Sequence, residues 1–299
     1  MLTELFKLFW KNVERNDAKR IKSQTSPTGI AQFCDIQYID DGSWQHRLDV
    51  YCKSDNFTCR PIIIDIHGGG WMYGTKEINK NYCLVLAQND YVVVNINYRL
   101  APEVSVADQM RDCFFAFKWV SSNIEKYGGD LNNVYVTGDS AGGFLAAYSA
   151  LLNSSEKLRK IFGVTESGLE FSACALTSPV CFMNTHTFQD VYFGRVKGRE
   201  FSEKPLCGFE NFDAVLNMGT MPPTFLVTSS GDTVGRLPTI KMYNLLCGVG
   251  VKCKLENREK YNGKHLPHVF SVIDPFSVPA KETISDMFGF FSDYVKTVQ

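Results

Sequence analysis

Apolar runs of strand length alternate with segments of helical periodicity along most of this chain. Residues 61–66 and 91–96 are mostly apolar, which is typical of strands that are covered on both faces. Residues 75–89 and 106–127 carry apolar side chains at helical spacing. Buried strands that alternate with helices predict parallel strands joined by crossover helices. We therefore expect an α/β fold in which ligands bind outside the carboxyl ends of the strands.

Further segments extend this pattern to a sheet of about eight strands with helices on both faces. Residues 33–39 and 45–51 alternate between apolar and polar side chains around a turn, and predict an antiparallel pair at one edge of the sheet. Other strands are predicted at 134–137, 171–177, 224–229 and 251–256, and later helices at 234–247 and 280–295.

Two segments outside this alternation predict a small cap. Residues 1–16 place apolar side chains on one face of a helix, which we expect to pack over the mouth of a pocket on the same chain. A helix that lies on a membrane surface is the alternative. Residues 178–221 are too long for a plain connection and predict an insertion that lines the pocket. The cap is thus assigned to about residues 1–30 and 178–221 of one domain that spans residues 1–299.

The composition narrows the classes of partner. With 31 Lys and Arg against 32 Asp and Glu, the formal net charge of −1 gives no basis for binding nucleic acid or an anionic membrane. The ten cysteines include no C-x-x-C pair, so no metal site is predicted, and they fit a reducing cytosol. Because neither a secretory signal nor a membrane-spanning run is evident, we expect a cytoplasmic protein without stable membrane insertion. The oligomeric state, including a homo-oligomer, is left open.

The most informative motif lies where the strand at 134–137 passes into a helix. Residues 138–142 read GDSAG and match G-x-S-x-G. In this motif a sharp turn holds the serine hydroxyl at the carboxyl edge of a sheet, beside a helix N-terminus. Ser140 is therefore the candidate nucleophile. A plain glycine-rich turn is the alternative, whereas a phosphate-binding loop is disfavoured because no lysine follows the glycines.

A serine hydroxyl attacks an ester only when a base removes its proton, and an acid must orient that base. In a fold with this motif the acid follows the serine, and the histidine follows the acid. Asp232 comes directly after the predicted strand 224–229, at the same edge of the sheet as Ser140, and is the candidate acid. It could also cap the helix that follows, and the two roles are compatible.

The base is chosen among few histidines. The sequence contains His46, His67, His186, His265 and His268. The first three precede the candidate acid. Of the remaining two we prefer His268 as the base, and we interpret His265 as a solvated loop histidine.

A glycine run supplies the remaining requirement of ester hydrolysis. Residues 67–70 read HGGG and follow the predicted strand 61–66. The reaction passes through an oxyanion, and losing one backbone donor to it raises the barrier by about 3 kcal/mol. Glycines let the backbone approach a substrate closely. Gly69, Gly70 and Ala141 are the predicted donors, and His67 is assigned to bracing the loop.

Several motifs together resemble the hormone-sensitive-lipase-like branch of the α/β-hydrolase esterases. They are HGGGW at 67–71, YRLAPE at 98–103, GDSAGG at 138–143, Asp232, and HVF at 268–270. The resemblance runs from about residue 45 to the C-terminus and implies an α/β-hydrolase fold. It also implies hydrolysis of short-chain carboxylic esters of small molecules, under a cap and without metal or organic cofactor.

Departures from the family pattern concern the pocket. Val104-Ser105 stands where many relatives have an aromatic residue and proline, and Thr233-Val234 stands where they commonly have Pro-Leu. These differences leave the acyl pocket and the leaving group open. Trp71 and Asp139, which neighbour the predicted donors and the nucleophile, are candidates for lining the substrate pocket.

The favoured function is that of a serine esterase with small, acetyl-sized acyl groups. An amide or formamide hydrolase could use the same triad. A ligand-binding protein on a hydrolase scaffold is a further alternative, against which the presence of His268 argues. A peripheral-membrane lipase, resting on the apolar face of residues 1–16, is the last.

Overall fold

The computed structural model of this protein describes residues 2–55, 59–183 and 189–296. The α-helices are α1 (Leu2–Ser23), α2 (Lys80–Ala87), α3 (Val106–Asn123), α4 (Ala141–Asn153), α5 (Glu156–Phe162), α6 (Gln189–Lys197), α7 (Phe212–Val215), α8 (Arg236–Gly248), α9 (Phe270–Ile273) and α10 (Val278–Ser292). The strands are β1 (Ile30–Gln37), β2 (Arg47–Lys53), β3 (Arg60–Ile66), β4 (Val92–Ile96), β5 (Gly129–Asp139), β6 (Phe171–Thr177), β7 (Thr224–Ser229), β8 (Cys253–Arg258), β9 (Lys260–Tyr261) and β10 (Lys264–His265). Short 3-10 helices lie at Lys76–Asn79, Ile124–Tyr127, Glu200–Ser202 and Leu216–Met218.

Eight of the described strands form one sheet, in the order β1-β2-β4-β3-β5-β6-β7-β8. Neighbouring strands are parallel from β4 through β8 along this order, whereas β1 pairs with β2, and β2 with β4, in antiparallel fashion. The predicted eight-stranded, mostly parallel sheet of the α/β-hydrolase fold is confirmed. The carboxyl ends of its parallel strands lie at one edge of the sheet, where the candidate site residues are found.

The sheet is covered on both faces, as its apolar strands require. Ile64 of β3 belongs to a buried cluster that also contains Phe117 of α3. On the opposite face, the ring of Tyr135 in β5 stacks on that of Phe291 in α10, with ring centroids 4.3 Å apart. Every residue of β4 is buried. Such a double-sided core explains why the central strands read as mostly apolar runs in the sequence.

Helix α1 is longer than the pattern of residues 1–16 predicts, because its last turn is stabilised by contacts with later segments of the chain. The guanidinium of Arg20 donates to the carbonyl oxygens of Ile273 and Ile78, at 2.9 and 3.3 Å. These contacts fix the last turn of α1, which carries polar residues and gives no apolar signal. The helix therefore continues to Ser23, beyond the predicted segment.

Two other predicted elements differ in detail. Residues 75–89 do not form one helix, because the 3-10 turn at Lys76–Asn79 is held by polar contacts. The side chain of Asn97 accepts the N–H of Lys76 at 2.6 Å, and that of Asn95 donates to the carbonyl of Lys76 at 2.7 Å. Helix α5 was not predicted, since it is short; Ser155 caps it by accepting the N–H of Leu158.

The insertion at 178–221 contains α6 and α7, and His186 lies outside the described residues. Helix α6 contacts α1 through the rings of Tyr192 and Phe6, whose centroids are 5.0 Å apart. The two segments of the predicted cap therefore meet. Within the described part of the chain, no helix combines the length and hydrophobicity needed to cross a bilayer.

Candidate active site

Ser140 lies at the turn between β5 and α4, in a backbone conformation that costs free energy. Its φ of 52° and ψ of −114° are rare for a residue with a side chain. A Cβ on Gly142 would lie 1.9 Å from the carbonyl oxygen of Ile66, and one on Gly138 would lie 2.4 Å from the carbonyl oxygen of Gly142. Only glycines fit these two positions, so the motif is required by the packing of α4 against the ends of β3 and β5.

The structure brings Ser140, His268 and Asp232 together. Nε2 of His268 is 2.9 Å from Oγ of Ser140, and Nδ1 of His268 is 2.7 Å from Oδ1 of Asp232. Asp232 follows β7 and is buried, whereas the side chain of His268 is 27% exposed. If Nδ1–H donates to the carboxylate, the lone pair of Nε2 faces the serine hydroxyl. This tautomer is the one that can accept the serine proton.

Asp232 is held as an anion by several donors. Its Oδ1 accepts the N–H groups of Val234 and Gly235, at 3.1 and 2.6 Å, just before α8 begins. The hydroxyl of Thr228 donates to Oδ2 at 3.1 Å. Burial alone would raise the pKa of Asp232, but the hydrogen bond and charge of His268, with the hydrogen bonds from Ser178 and the N–H of Gly235, lower it to about 2. The acid can therefore orient His268 and terminate the turn before α8 at the same time.

His265, the other late histidine, does not reach this group. Its Nδ1 lies 2.7 Å from the hydroxyl oxygen of Ser230, and its side chain is exposed. No cluster of three or more metal-ligating His, Cys, Asp or Glu side chains occurs among the residues that the structure describes.

The glycine loop after β3 has a backbone that only glycine adopts easily. Gly69 has a φ of +113°, and a Cβ there would lie 2.0 Å from the carbonyl oxygen of Tyr73. The carbonyl of Gly69 accepts the N–H groups of Met72 and Tyr73, at 3.2 and 3.0 Å. The carbonyl oxygen of Trp71 accepts hydrogen bonds from the backbone N–H of Ala101 and from Nε2 of Gln109, both at 2.8 Å. The loop is therefore anchored to its own continuation and to α3.

Gly70 is covered by one aromatic side chain from each segment of the predicted cap. A Cβ on Gly70 would lie 2.4 Å from the hydroxyl of Tyr192 and 2.5 Å from the indole of Trp10. The hydroxyl of Tyr192 also donates to the carbonyl oxygen of Gly70. Trp10 stacks on Tyr73, with ring centroids 5.3 Å apart. Helix α1 thus packs over the glycine loop. The sequence pattern placed Trp10 on the apolar face of residues 1–16 without linking it to the glycine loop, and it did not single out Tyr192, because neither residue belongs to a motif.

His67 lies behind the loop and is fully buried. Its Nδ1 is 2.7 Å from the carbonyl oxygen of Gly68, and its ring stacks on Tyr98 at 4.4 Å between centroids. The hydroxyl of Tyr98 donates to the carbonyl of His67 at 2.8 Å. Burial lowers the pKa of His67 to about 4, so its ring is neutral and Nδ1–H can donate to Gly68. These contacts are those of a bracing residue.

This burial predicts a pH-dependent contribution to stability. An exposed histidine has a pKa of about 6.5. As the pH falls from about 6.5 to 4, the unfolded chain gains a proton at His67 but the folded chain does not. The free energy of unfolding should therefore fall by about 3 kcal/mol over this range. His67→Gln lacks the titrating group and therefore does not lose this stability. Urea unfolding should show that the difference in free energy of unfolding between wild type and variant is smaller at pH 4 than at pH 7 by about 3 kcal/mol. A gap that is constant with pH would contradict the buried neutral ring.

Trp71 and Asp139, the predicted pocket residues, are both buried. Trp71 is 2% exposed and packs edge-on against Phe144 of α4 and Phe193 of α6. Asp139 is 5% exposed, and its carboxylate accepts the N–H of Gly68 at 3.0 Å. Asp139 thus holds the loop, and Trp71 packs between α4 and α6.

The anchored loop makes Gly69 sensitive to the smallest side chain. In Gly69→Ala the new methyl group would collide with the Tyr73 carbonyl and displace the amides at 69 and 70. We expect kcat for ester hydrolysis to fall by about 10²- to 10³-fold, which is the effect of losing an oxyanion donor. The matched control is Gly289→Ala in α10, where no atom lies within 4 Å of the added Cβ. Activity in Gly69→Ala equal to that of the control would exclude this loop from the reaction.

A mostly parallel sheet that carries serine, aspartate and histidine, in this chain order, at its carboxyl edge is the arrangement of an α/β-hydrolase. Residues 48–183 match the BD-FAE family. Esterase B of Lactobacillus rhamnosis, solved in a tributyrin phosphonate-inhibited form, superposes with a TM-score of 0.92 at 30% identity, covering 98% of this chain and 95% of that one. Isoprenylcysteine alpha-carbonyl methylesterase of Arabidopsis thaliana is 27% identical over 81% of this chain and 58% of its own length. Versiconal hemiacetal acetate esterase of Dothistroma septosporum is 39% identical over 33% of this chain and 29% of its own length.

The chain belongs to the hormone-sensitive-lipase-like branch of the α/β-hydrolase esterases. It spans 58% of the length of the Arabidopsis methylesterase and 29% of that of the Dothistroma esterase. The family resemblance that the sequence motifs indicate is confirmed by these comparisons.

Proposed function

We propose that this chain hydrolyses short-chain carboxylic esters of small molecules through an acyl-enzyme on Ser140. The observation that carries the proposal is the pair of hydrogen bonds, 2.9 and 2.7 Å long, that joins Ser140, His268 and Asp232. Serine, imidazole and carboxylate in this order perform acyl transfer on several unrelated folds. The esterase family of the chain supports the same reaction class.

In the proposed reaction, Nε2 of His268 takes the proton of Ser140 as its Oγ attacks the ester carbonyl. The carbonyl oxygen becomes an oxyanion, which accepts hydrogen bonds from the backbone N–H groups of the predicted oxyanion hole, at positions 69, 70 and 141. His268 then gives its proton to the leaving alcohol as the ester bond breaks. A water molecule, deprotonated by the same imidazole, attacks the acyl carbon and releases the acid, and the proton returns to Ser140. Asp232 remains a carboxylate and stabilises the imidazolium.

The cap supports a small acyl group. The indole of Trp10 and the hydroxyl of Tyr192 lie so close to Gly70 that a single methyl group would collide with them. The ring of Phe6 packs edge-on against that of Tyr192. The aromatic side chains of Trp10 and Tyr192 therefore limit the space for an acyl chain next to the predicted oxyanion hole, on the side of the predicted cap. We infer an acetyl-sized preference from this.

A series of p-nitrophenyl esters from acetyl to dodecanoyl tests this proposal. We expect kcat/KM to be highest at two to four acyl carbons and to fall with longer chains. Turnover of an aryl formamide should be slower by orders of magnitude. A maximum at eight or more carbons would contradict the small pocket, and a preference for the formamide would indicate amide chemistry on the same triad.

Trp10→Ala is expected to shift this preference toward longer acyl chains. Removing the indole opens the wall over Gly70, and each methylene that gains a contact is worth about 1–3 kcal/mol, or 10-fold or more. The ratio of kcat/KM for the octanoyl ester to that for the acetyl ester should therefore rise at least about tenfold. Trp44→Ala is the matched control, since its indole is 54% exposed. An unchanged ratio would place the acyl pocket away from α1.

A further inference from the structure

A pair of buried carboxyl groups lies beneath the glycine loop, and the triad does not use it. Asp65 is in β3 and Asp139 ends β5, and these are neighbouring parallel strands. The amide nitrogen Nδ2 of Asn79 donates to both, at 2.9 Å to Oδ2 of Asp65 and at 2.8 Å to Oδ1 of Asp139. All three side chains are almost fully buried. One amide group therefore links two carboxyl groups at the carboxyl edge of the sheet.

Asp139 connects this pair to the candidate active site. Its Oδ1 also accepts the N–H of Gly68 at 3.0 Å, and a Cβ on Gly68 would lie 2.4 Å from its Oδ2. Gly68 precedes the predicted oxyanion donors Gly69 and Gly70, and Asp139 precedes Ser140. The carboxylate thus touches the loop on one side and is covalently joined to the nucleophile on the other.

The charges of the pair are limited by its surroundings. Two carboxylates close together in a dry interior are costly unless a cation neutralises them. The groups that face Asp65 are the Asn79 amide, the hydroxyl of Thr137 at 2.8 Å and the thiol of Cys83 at 3.5 Å, and none of these is a cation. Burial, and then the charge of Asp139, raise the pKa of Asp65 to about 7. The pKa of Asp139 is also raised, because burial outweighs the hydrogen bond from Asn79, the charge of His268 and the N–H of Gly68, which lower it.

The hydrogen bonds indicate which carboxyl carries a proton. Oδ1 of Asp139 accepts two N–H groups, an arrangement that favours the anion. The hydroxyl of Thr137 donates to Oδ1 of Asp65 at 2.8 Å, and because a hydroxyl rotates it can instead accept a hydrogen bond from the protonated carboxyl group. A neutral Asp65 beside an anionic Asp139 satisfies every one of these contacts.

We propose that Asn79 and Asp65 are positioning residues for the ester hydrolysis proposed above, on which this inference rests. Asn79 holds the carboxylate of Asp139 beneath Gly68. Asp65, in its neutral form, holds the amide of Asn79 in the orientation that this contact needs. Both act through the glycine loop, whose amides thereby keep their place relative to Ser140. The two carboxyl groups and Asn79 thus support the predicted oxyanion hole. They come from β3, from β5 and from the 3-10 turn that follows the glycine loop.

A double-mutant cycle on Asn79→Ala and Asp139→Ala tests this role. Each single variant should lower kcat on p-nitrophenyl acetate, and the rate of inactivation by a p-nitrophenyl phosphonate, by about tenfold or more, with KM within about threefold. Because Asn79 acts through Asp139, the double variant should be no worse than the poorer single variant. Losses that multiply, or an unchanged kcat in Asn79→Ala, overturn the proposal.

The control is Asn133→Ala, in the first half of β5 and six residues before Asp139. Asn133 is buried as well, and its amide donates to Asp130 at 2.7 Å and to the carbonyl of Lys296 at 3.1 Å. This variant removes similar hydrogen bonds far from the loop, so it should keep kcat within about twofold. A loss of kcat equal to that of Asn79→Ala would show a general effect of stability and overturn the positioning role.

Two variants at Asp65 keep the test decisive if Asn79→Ala does not fold. Asp65→Asn has the shape of the neutral acid and offers an oxygen to Asn79 and an N–H to Thr137, so kcat should stay within about threefold. Asp65→Leu removes the acceptor and should lower kcat about tenfold or more. A large loss in Asp65→Asn, or none in Asp65→Leu, overturns the assignment. Ser140→Ala is measured alongside: if it retains hydrolysis, the proposed function itself fails, whereas an inactive Ser140→Ala with a fully active Asp65→Leu refutes only the positioning role.

Discussion

Ser140→Ala should abolish ester hydrolysis while leaving the fold intact. Without Oγ no acyl-enzyme forms, and the expected fall in kcat is about 10⁶-fold, the size found when a serine hydrolase loses its nucleophile. A residual rate above that of water would come from the amides of the loop and from substrate binding. The measurement is steady-state turnover of p-nitrophenyl acetate, together with thermal unfolding of the variant.

The matched control for this prediction is Ser149→Ala. Ser149 lies on the same helix, α4, and is fully buried, so the substitution changes a comparable hydroxyl away from the site. It should leave kcat within about twofold, as expected for a site that shares no partner with the triad. A Ser140→Ala variant that hydrolyses esters at a rate similar to that of Ser149→Ala would show that the reaction takes place elsewhere on the molecule.

Asp232→Asn should reduce kcat by about 10⁴-fold, because an amide cannot hold the imidazole as a carboxylate does. The new N–H₂ group favours the tautomer in which Nε2 of His268 carries the proton, and that tautomer cannot accept a proton from Ser140. Since the pKa of Asp232 is about 2, wild-type enzyme keeps the carboxylate ionised above about pH 3, and the loss should appear throughout the neutral range.

Asp213→Asn serves as the control for the change from acid to amide. Asp213 pairs with Lys241 at the surface, at 3.3 Å, and exposed ion pairs contribute little to stability. Its kcat should equal that of the wild type. A fall of less than about tenfold in Asp232→Asn would mean that another group orients His268, since the structure gives Nδ1 this carboxylate as its partner.

The fold could be predicted from the sequence because strand and helix signals alternate cleanly. The limits of β6 and β7 agree with the predicted 171–177 and 224–229, since each apolar run is bounded by polar or turn residues. The chain order of Ser140, Asp232 and His268 followed from the fold that the G-x-S-x-G motif indicates. The placement of Ser140 and Asp232 at one edge followed from parallel strands, whose carboxyl ends meet there. The sequence therefore predicts mainly local features, namely where each strand lies and which side chains follow its end.

The supports of the site could not be predicted in the same way. Asn79 stands in a segment of helical periodicity, and nothing in its neighbours indicates that its amide joins two carboxyl groups. Asp65 gave a weak signal, since it interrupts an apolar run in a central strand. Trp10 and Tyr192 meet over Gly70 only because α1 and α6 pack together. Contacts of this kind depend on tertiary packing between distant segments, which local patterns do not encode.

Covalent labelling with p-nitrophenyl butylphosphonate offers the sharpest single measurement of the proposed chemistry. Attack by an activated serine forms a bond from Oγ to phosphorus and expels p-nitrophenolate, leaving one phosphonyl group on each active enzyme molecule. Mass spectrometry of the digested protein should find this adduct on the peptide that contains Ser140, in step with the loss of esterase activity. Inactivation with the adduct on any other residue, or continued labelling of Ser140→Ala at the wild-type rate, would contradict a triad of Ser140, His268 and Asp232.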